Sequence, residues 1–236
     1  MLRALSLTPD LVALVDRIVP EAGREPGLKP LADDEYRRLA AAIMQEADGA
    51  LHLFAYGSLI WKPQAGFTPV GKVRAHGWRR SFCLNLTTFR ATPDQPGLML
   101  ALDHGGCCDG VLVRADNGIE LDRVESLLRR EIEYAEDVPY VRWIAVRHNN
   151  KKIRALTFYA APRGDGIAVR LPIEDQASRI ARAAGSAGTC VAYLHHTVVK
   201  LLEHGIDDGY LWELQALVAQ EIRAMQPTDA SGLPSY

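Results

Sequence analysis

The chain has 236 residues, 48% of them hydrophobic and 24% charged, with a formal net charge of -2. That length supports one sizeable core, and the composition is ordinary for a globular protein. It leaves no broad basic field for nucleic acid, and no apolar run approaches the ~20 residues that a membrane span needs. The pairs Arg79-Arg80, Arg129-Arg130 and Lys151-Lys152 are short, separate and set among apolar residues, so they read as solvated or locally paired charges.

Thr8-Pro9-Asp10 reads as an N-cap with a first-turn proline, followed by the helical stripe Leu11, Val12, Leu14, Val15 and Ile18. Pro20 to Pro30 is rich in Gly, Pro and charge and reads as a linker. A second helix is predicted over Asp33 to Ala47 with Leu39, Ile43 and Met44 inward. Together these form an N-terminal helical appendage, residues 1–48.

From Leu51 the pattern becomes extended, with strands expected at Leu51–Tyr56, Lys72–Leu86, Leu98–Leu102, Gly110–Arg114, Tyr140–Arg147 and Ile153–Ala160. The last two flank His148-Asn149-Asn150-Lys151 and form a hairpin. Asp103-His104-Gly105-Gly106 reads as a hairpin turn as well. A helix over Gly118 to about Glu133 carries Ile119, Val124, Leu127 and Leu128 at core spacing, with Glu131 near its end. Three helices close the chain at Ile173–Ala184, Thr189–Glu203 and Asp208–Met225, the first two stopping at Gly185 and Gly205. The tail after Pro227 is expected to be disordered. Strands first and helices last indicate an α+β fold, here one domain over residues 49–226, with no βαβ alternation.

Cys83 and Cys190 stand alone and Cys107 and Cys108 are adjacent, so no CxxC pair exists and a reduced, cytoplasmic setting is expected. The N-terminus has no long apolar core before Pro9 and Asp10, which predicts no secretory signal. His104 near Cys107 and Cys108 suggests a thiol nucleophile with a base, but a turn there lacks an orienting third partner. His195 and His196 diverge by about 100° on a helix, so one faces the core and the other solvent. Trp61, Trp78, Trp143 and Trp212 are scattered, as packing residues are. No HExxH, Walker A or GxGxxG pattern occurs, which removes zincin and nucleotide readings.

The most informative stretch is Phe54-Ala55-Tyr56-Gly57-Ser58-Leu59-Ile60-Trp61, where an apolar strand runs into a small polar turn. Such a strand end can present bare backbone N–H groups to a small ligand. It can equally be an ordinary turn whose serine satisfies its own backbone. Glu131, read alone, is a helix-surface carboxylate paired with Arg129 or Arg130.

Taken together, these segments resemble the ChaC-like γ-glutamylcyclotransferases. Tyr56-Gly57-Ser58-Leu59-Ile60-Trp61 matches that family's YGSLxW signature, and Gly77-Trp78-Arg79-Arg80 with Phe82 is similar to its next strand. Arg90-Ala91-Thr92-Pro93 with Pro96-Gly97 resembles its RGTP loop, and Arg130-Glu131 its RE pair. Gly185 and Gly188, Tyr193-Leu194, and Gly205-Ile206 with Asp208 are similar to its C-terminal motif. The matches fall in one order over roughly residues 50 to 220, and the first ~48 residues lie outside them. The chain departs from the pattern at Asp137-Val138-Pro139-Tyr140, where two glycines are usual before the tyrosine, and at Cys190, where asparagine is usual.

The resemblance implies a small mixed β-barrel flanked by helices. It implies intramolecular attack of a γ-glutamyl α-amine on its own γ-amide, giving 5-oxoproline and a free amine without metal or organic cofactor. Glutathione is the implied substrate and cysteinylglycine the second product. Glu131 becomes the general acid and base, Tyr56, Gly57, Ser58 and Leu59 the substrate-binding turn, and Tyr140 and Tyr193 hydrogen-bond donors in the pocket. Tyr193 on its apolar helix face serves the core equally well. Other γ-glutamyl amino acids or amines are the alternative substrates, and a γ-glutamyl-binding or regulatory module without turnover is the alternative of another class. The oligomeric state is not readable from the sequence.

Overall fold

A computed structural model of the chain describes residues 4–20, 23, 27–47, 49–159 and 170–226. The chain opens with α1 (Pro9–Val15) and α2 (Asp33–Glu46), then β1 (His52–Ala55), a single turn α3 (Ser58–Trp61), and the long strands β2 (Phe67–Leu86) and β3 (Gly97–Ala115). Helix α4 (Leu121–Glu131), a 3-10 helix (Ala135–Tyr140), and strands β4 (Val141–His148) and β5 (Lys151–Phe158) follow. The chain closes with α5 (Ile173–Arg182), the short pair β6 (Ala184–Gly185) and β7 (Gly188–Thr189), then α6 (Cys190–Glu203) and α7 (Gly209–Met225).

Five strands close a barrel in the order β1-β3-β2-β4-β5, sealed by a parallel contact between Leu53 of β1 and Leu156 of β5. Alternation along the strands produces two apolar faces. Phe54, Val73, Ala75, Trp78, Leu102, Leu112, Ile144 and Ala155 form a cluster drawn from strands alone, which fills the barrel. The opposite face, with Leu53, Val111, Val113 and Leu156, joins buried residues of the helices in the larger core. The architecture is mixed α+β, a barrel with flanking helices.

The β2–β3 hairpin is where the structure corrects the sequence. The strands expected at Leu98–Leu102 and Gly110–Arg114 are one strand, and Asp103-His104-Gly105-Gly106 runs inside it without turning. It pairs with β2 from Phe67↔Ala115 to Leu86↔Gly97, and the register slips between His76 and Trp78. Gly105 (φ 106) and Gly106 (φ 71) absorb this as a bulge, which demands the same glycines as a turn. Strand β2 likewise starts at Phe67, ahead of the expected Lys72. The true hairpin connection is the 87–96 loop. Between β4 and β5, Asn149 (φ 46) and Asn150 (φ 63) form the expected two-residue turn, since asparagine tolerates the left-handed region.

The expected helix over Gly118 to Glu133 is shorter, Leu121–Glu131, and buries Val124, Leu127 and Leu128. Thr189 caps α6 by accepting from Ala192 N at 3.0 Å, and Asp208 caps α7 by accepting from Leu211 N at 3.2 Å. In the N-terminal segment, Thr8 caps α1 as expected, Val15 is buried and Ile18 is 77% exposed. Leu7 is fully buried and donates its N–H to Gln215 Oε1 at 2.8 Å, which ties this segment to α7. Tyr36, Ala40 and Ile43 of α2 are buried against the rest of the core. The tail expected to be disordered, residues 227–236, lies outside the described residues.

Candidate active site

At the end of β1 the chain turns through Tyr56 and Gly57 into α3, opening one side of a cavity of about 920 Å³. The seven residues singled out in the sequence all line it: Tyr56, Gly57, Ser58, Leu59, Glu131, Tyr140 and Tyr193. They come from the turn after β1, from α3, α4, the 3-10 helix and α6, so the fold and not local sequence brings them together.

Glu131 is the last residue of α4, with its side chain largely shielded. Burial pushes its carboxyl up to about 7, against the opposing charge of Arg130. Arg130 Nε lies 3.1 Å from Glu131 Oε1, but the pair is not aligned as a hydrogen bond, and Oε1 is buried without a hydrogen-bond partner. Arg130 also donates to Ser58 Oγ at 3.2 Å and to the Lys62 carbonyl, which joins the carboxylate to the turn. A carboxylate oxygen without a hydrogen bond therefore lies beside a polar turn, where burial raises its proton affinity.

Tyr193 stands against the turn, its ring edge-on to Trp61 at 5.7 Å and to Phe82 at 6.1 Å. Burial, and then the Glu131 carboxylate, push its hydroxyl far up, so it stays a hydrogen-bond donor. Tyr56 donates to the Phe158 carbonyl at 2.8 Å and is raised by the same two causes together with Tyr193. Tyr140 packs edge-on to Tyr159 at 5.4 Å.

Two residues were missed as site residues. Arg90, on the 87–96 loop, lines the cavity, donates to the Thr189 carbonyl at 3.0 Å and keeps its Nε buried without a partner. Burial lowers its proton affinity. Among the described residues, Arg90 Nε and Glu131 Oε1 are the buried side-chain polar atoms left without a hydrogen bond. The second is Arg80, expected from the sequence to be solvated or locally paired. Its side chain is 1% exposed; it donates to Tyr56 O at 2.7 Å, to Asp208 Oδ2 at 2.8 Å and to the Asp109 carbonyl. Strand alternation explains the difference, since the neighbouring Arg79 faces out and pairs with Asp103 at 2.6 Å.

The cysteine and histidine readings fall elsewhere. Cys107 is exposed with its thiol 3.3 Å from His76 Nδ1, while His104 stacks on Trp78 at 4.5 Å. Cys108 is buried in the barrel, which pushes its thiol up to about 11. Cys190 is buried and its thiol donates to the Arg90 carbonyl at 3.4 Å. His195 is half-buried and His196 exposed beside Trp61. Among the described residues, no helix is long and apolar enough to cross a membrane.

Comparison with known proteins gives a consistent result. The model of the family described as "ChaC-like protein" matches residues 51–221. The glutathione-specific gamma-glutamylcyclotransferase of Escherichia coli (strain K12) is 32% identical over 185 residues, 78% of this chain and 79% of that protein. Glutathione-specific gamma-glutamylcyclotransferase 1 of Homo sapiens is 30% identical over 151 residues, 61% of this chain and 67% of that protein. A crystal structure of a yeast gamma-glutamyl cyclotransferase specific to glutathione superimposes with a TM-score of 0.64 at 19% identity, over 73% of this chain and 96% of that one. At that identity the likeness speaks for the fold.

Proposed function

The chain belongs to the ChaC-like family, and from that membership we propose that it is a γ-glutamylcyclotransferase cleaving glutathione to 5-oxoproline and cysteinylglycine. The observation that carries the reading is the buried Glu131 Oε1, without a hydrogen-bond partner, in the same cavity as the Tyr56-Gly57-Ser58-Leu59 turn.

The reaction needs little covalent help. The substrate's α-nitrogen attacks its own γ-carbonyl carbon, a five-membered lactam closes, and the amide C–N bond breaks to release the amine. Nucleophile and electrophile share one molecule, so folding the substrate into a near-attack conformer supplies much of the rate. The α-ammonium is inert until it loses a proton. Glu131 relays to the leaving nitrogen the two protons that the α-ammonium must lose to become the lactam N–H, the first before attack and the second after it. The amine departs as its ammonium and Glu131 ends as it began, with no water consumed. A carboxyl held near 7 suits both steps, and the bound ammonium favours its charged form.

The turn's backbone N–H groups and Ser58 are assigned to the substrate's polar end, with the Tyr193 and Tyr140 hydroxyls as further donors. The buried Arg90 Nε supplies a positive charge for a substrate carboxylate. The catalytic domain is assigned to residues 49–226, with residues 1–48 as a helical extension. Free Cys83, Cys107, Cys108 and Cys190 support a cytoplasmic setting.

Release of 5-oxoproline from glutathione and from γ-glutamyl-alanine, measured side by side, tests the substrate. Preference for glutathione supports the reading, and preference for the alanine compound overturns the substrate while keeping the reaction. Glutathione binding by calorimetry without product would instead mark a module without turnover.

A further inference from the structure

The family match begins at residue 51, yet the backbone around Glu131 is braced by residues that precede it. Leu31 N donates to Glu133 O at 3.0 Å and Ala135 N donates to Lys29 O at 2.8 Å. Between them Pro30 and Tyr134 pair as an antiparallel bridge, a place where proline's missing N–H costs nothing because the flanking residues make both bonds. Lys29 N adds a bond to Glu136 Oε2 at 3.3 Å.

Helix α2 completes the brace. Tyr36, 5% exposed, donates its hydroxyl to Ile132 O at 2.9 Å, on the residue directly after Glu131. The Arg129 guanidinium, two residues before Glu131, lies 4.4 Å over the Tyr36 ring. The last carbonyls of a helix have no intrahelical donor and its final turn is prone to fray. Ile132 is the C-cap of α4, already extended at φ -136 and ψ 139. The phenol thus pins the exit of α4 where Glu131 sits, and Tyr36 also lines the cavity.

We propose that Tyr36, seconded by the Lys29–Leu31 strap, is a positioning residue for Glu131, so that the segment ahead of the family region belongs to the working active site. The inference rests on the reading of Glu131 as acid and base. Tyr36 acts by holding the end of α4, where Glu131 sits. A displacement of about 1 Å at a reacting group can cost as much as ~10²-fold in rate.

The test is Tyr36→Phe in the full chain, which keeps the ring, its packing and the Arg129 contact and removes only the hydroxyl. The expected result is a fall in kcat of roughly 5- to 20-fold with KM little changed. The acidic limb of the kcat/KM profile should also move to lower pH as the loosened end of α4 lets the carboxyl out of its buried position. Parent-like kcat with an unmoved limb overturns the proposal. So does a loss of activity that only follows the folded fraction in thermal unfolding with the limb unmoved. A parent silent toward glutathione would instead count against the proposed reaction, and a Glu131→Gln variant as active as the parent against the assigned base.

Discussion

The Tyr193 hydroxyl lies 3.0 Å from the point that a Cβ on residue 57 would occupy, with Leu100 Cδ2 at 3.5 Å. Gly57 sits at φ -141 and ψ -124, outside both the extended and the left-handed regions, and the need for glycine rests on the space that its missing Cβ leaves. Gly57→Ala should push the hydroxyl off the turn. Overpacking of this kind costs about 1–3 kcal/mol, and the loss in kcat/KM should exceed what thermal unfolding accounts for. Tyr193→Phe, which relieves the contact, should restore stability to the double variant but not its activity.

Arg80 joins Tyr56 O, Asp109 O and Asp208 Oδ2 from a buried position. Arg80→Met leaves a partly buried carboxylate and two carbonyls without their partner. Removing one member of a buried pair costs about 3–5 kcal/mol, so the melting temperature should drop steeply. Asp208→Asn keeps a cap for α7 and should cost less.

Arg90 offers an unused, buried Nε in the cavity. Hydrogen bonds to charged groups contribute about 1.5–3 kcal/mol, or roughly 10- to 100-fold in binding. Arg90→Met should therefore raise KM for glutathione by that order with a smaller change in kcat. An unchanged KM would remove Arg90 from substrate recognition.

Burial raises the Glu131 carboxyl from its ordinary 4.5 to about 7. Between those values the folded protein holds a proton that the unfolded chain has released, so stability falls as pH rises through the window and is level above it. The full effect is of the order of 3 kcal/mol. Glu131→Gln has no such proton. Its melting temperature should gain on the parent's from pH 4.5 to 7, while the parent's kcat/KM rises through about pH 7 as the base ionises.

Much of this site was legible before the fold, for reasons that differ by residue. The turn at Tyr56 and Gly57 and the helix ending in Glu131 are local patterns, and periodicity alone placed α4 through Val124, Leu127 and Leu128. Gly105 and Gly106 misled because bulge and turn require the same positive φ, and only the partner strand decides between them. Arg80 and Arg90 needed partners from other elements to become buried, so no window of sequence shows them. The strap at Lys29–Leu31 straddles the end of the Pro20–Pro30 stretch that composition marks as a linker, and its partners Glu133 and Ala135 are remote in the chain. The Pro- and Gly-rich composition reports missing helix signals, not missing hydrogen bonds.

The most direct test of the account is 5-oxoproline release from glutathione by the parent and by Glu131→Gln, which preserves size and removes basicity. The account predicts steady release by the parent and a loss of at least about 10²-fold in the variant, the scale of general acid–base catalysis. Equal rates in the two proteins would contradict it.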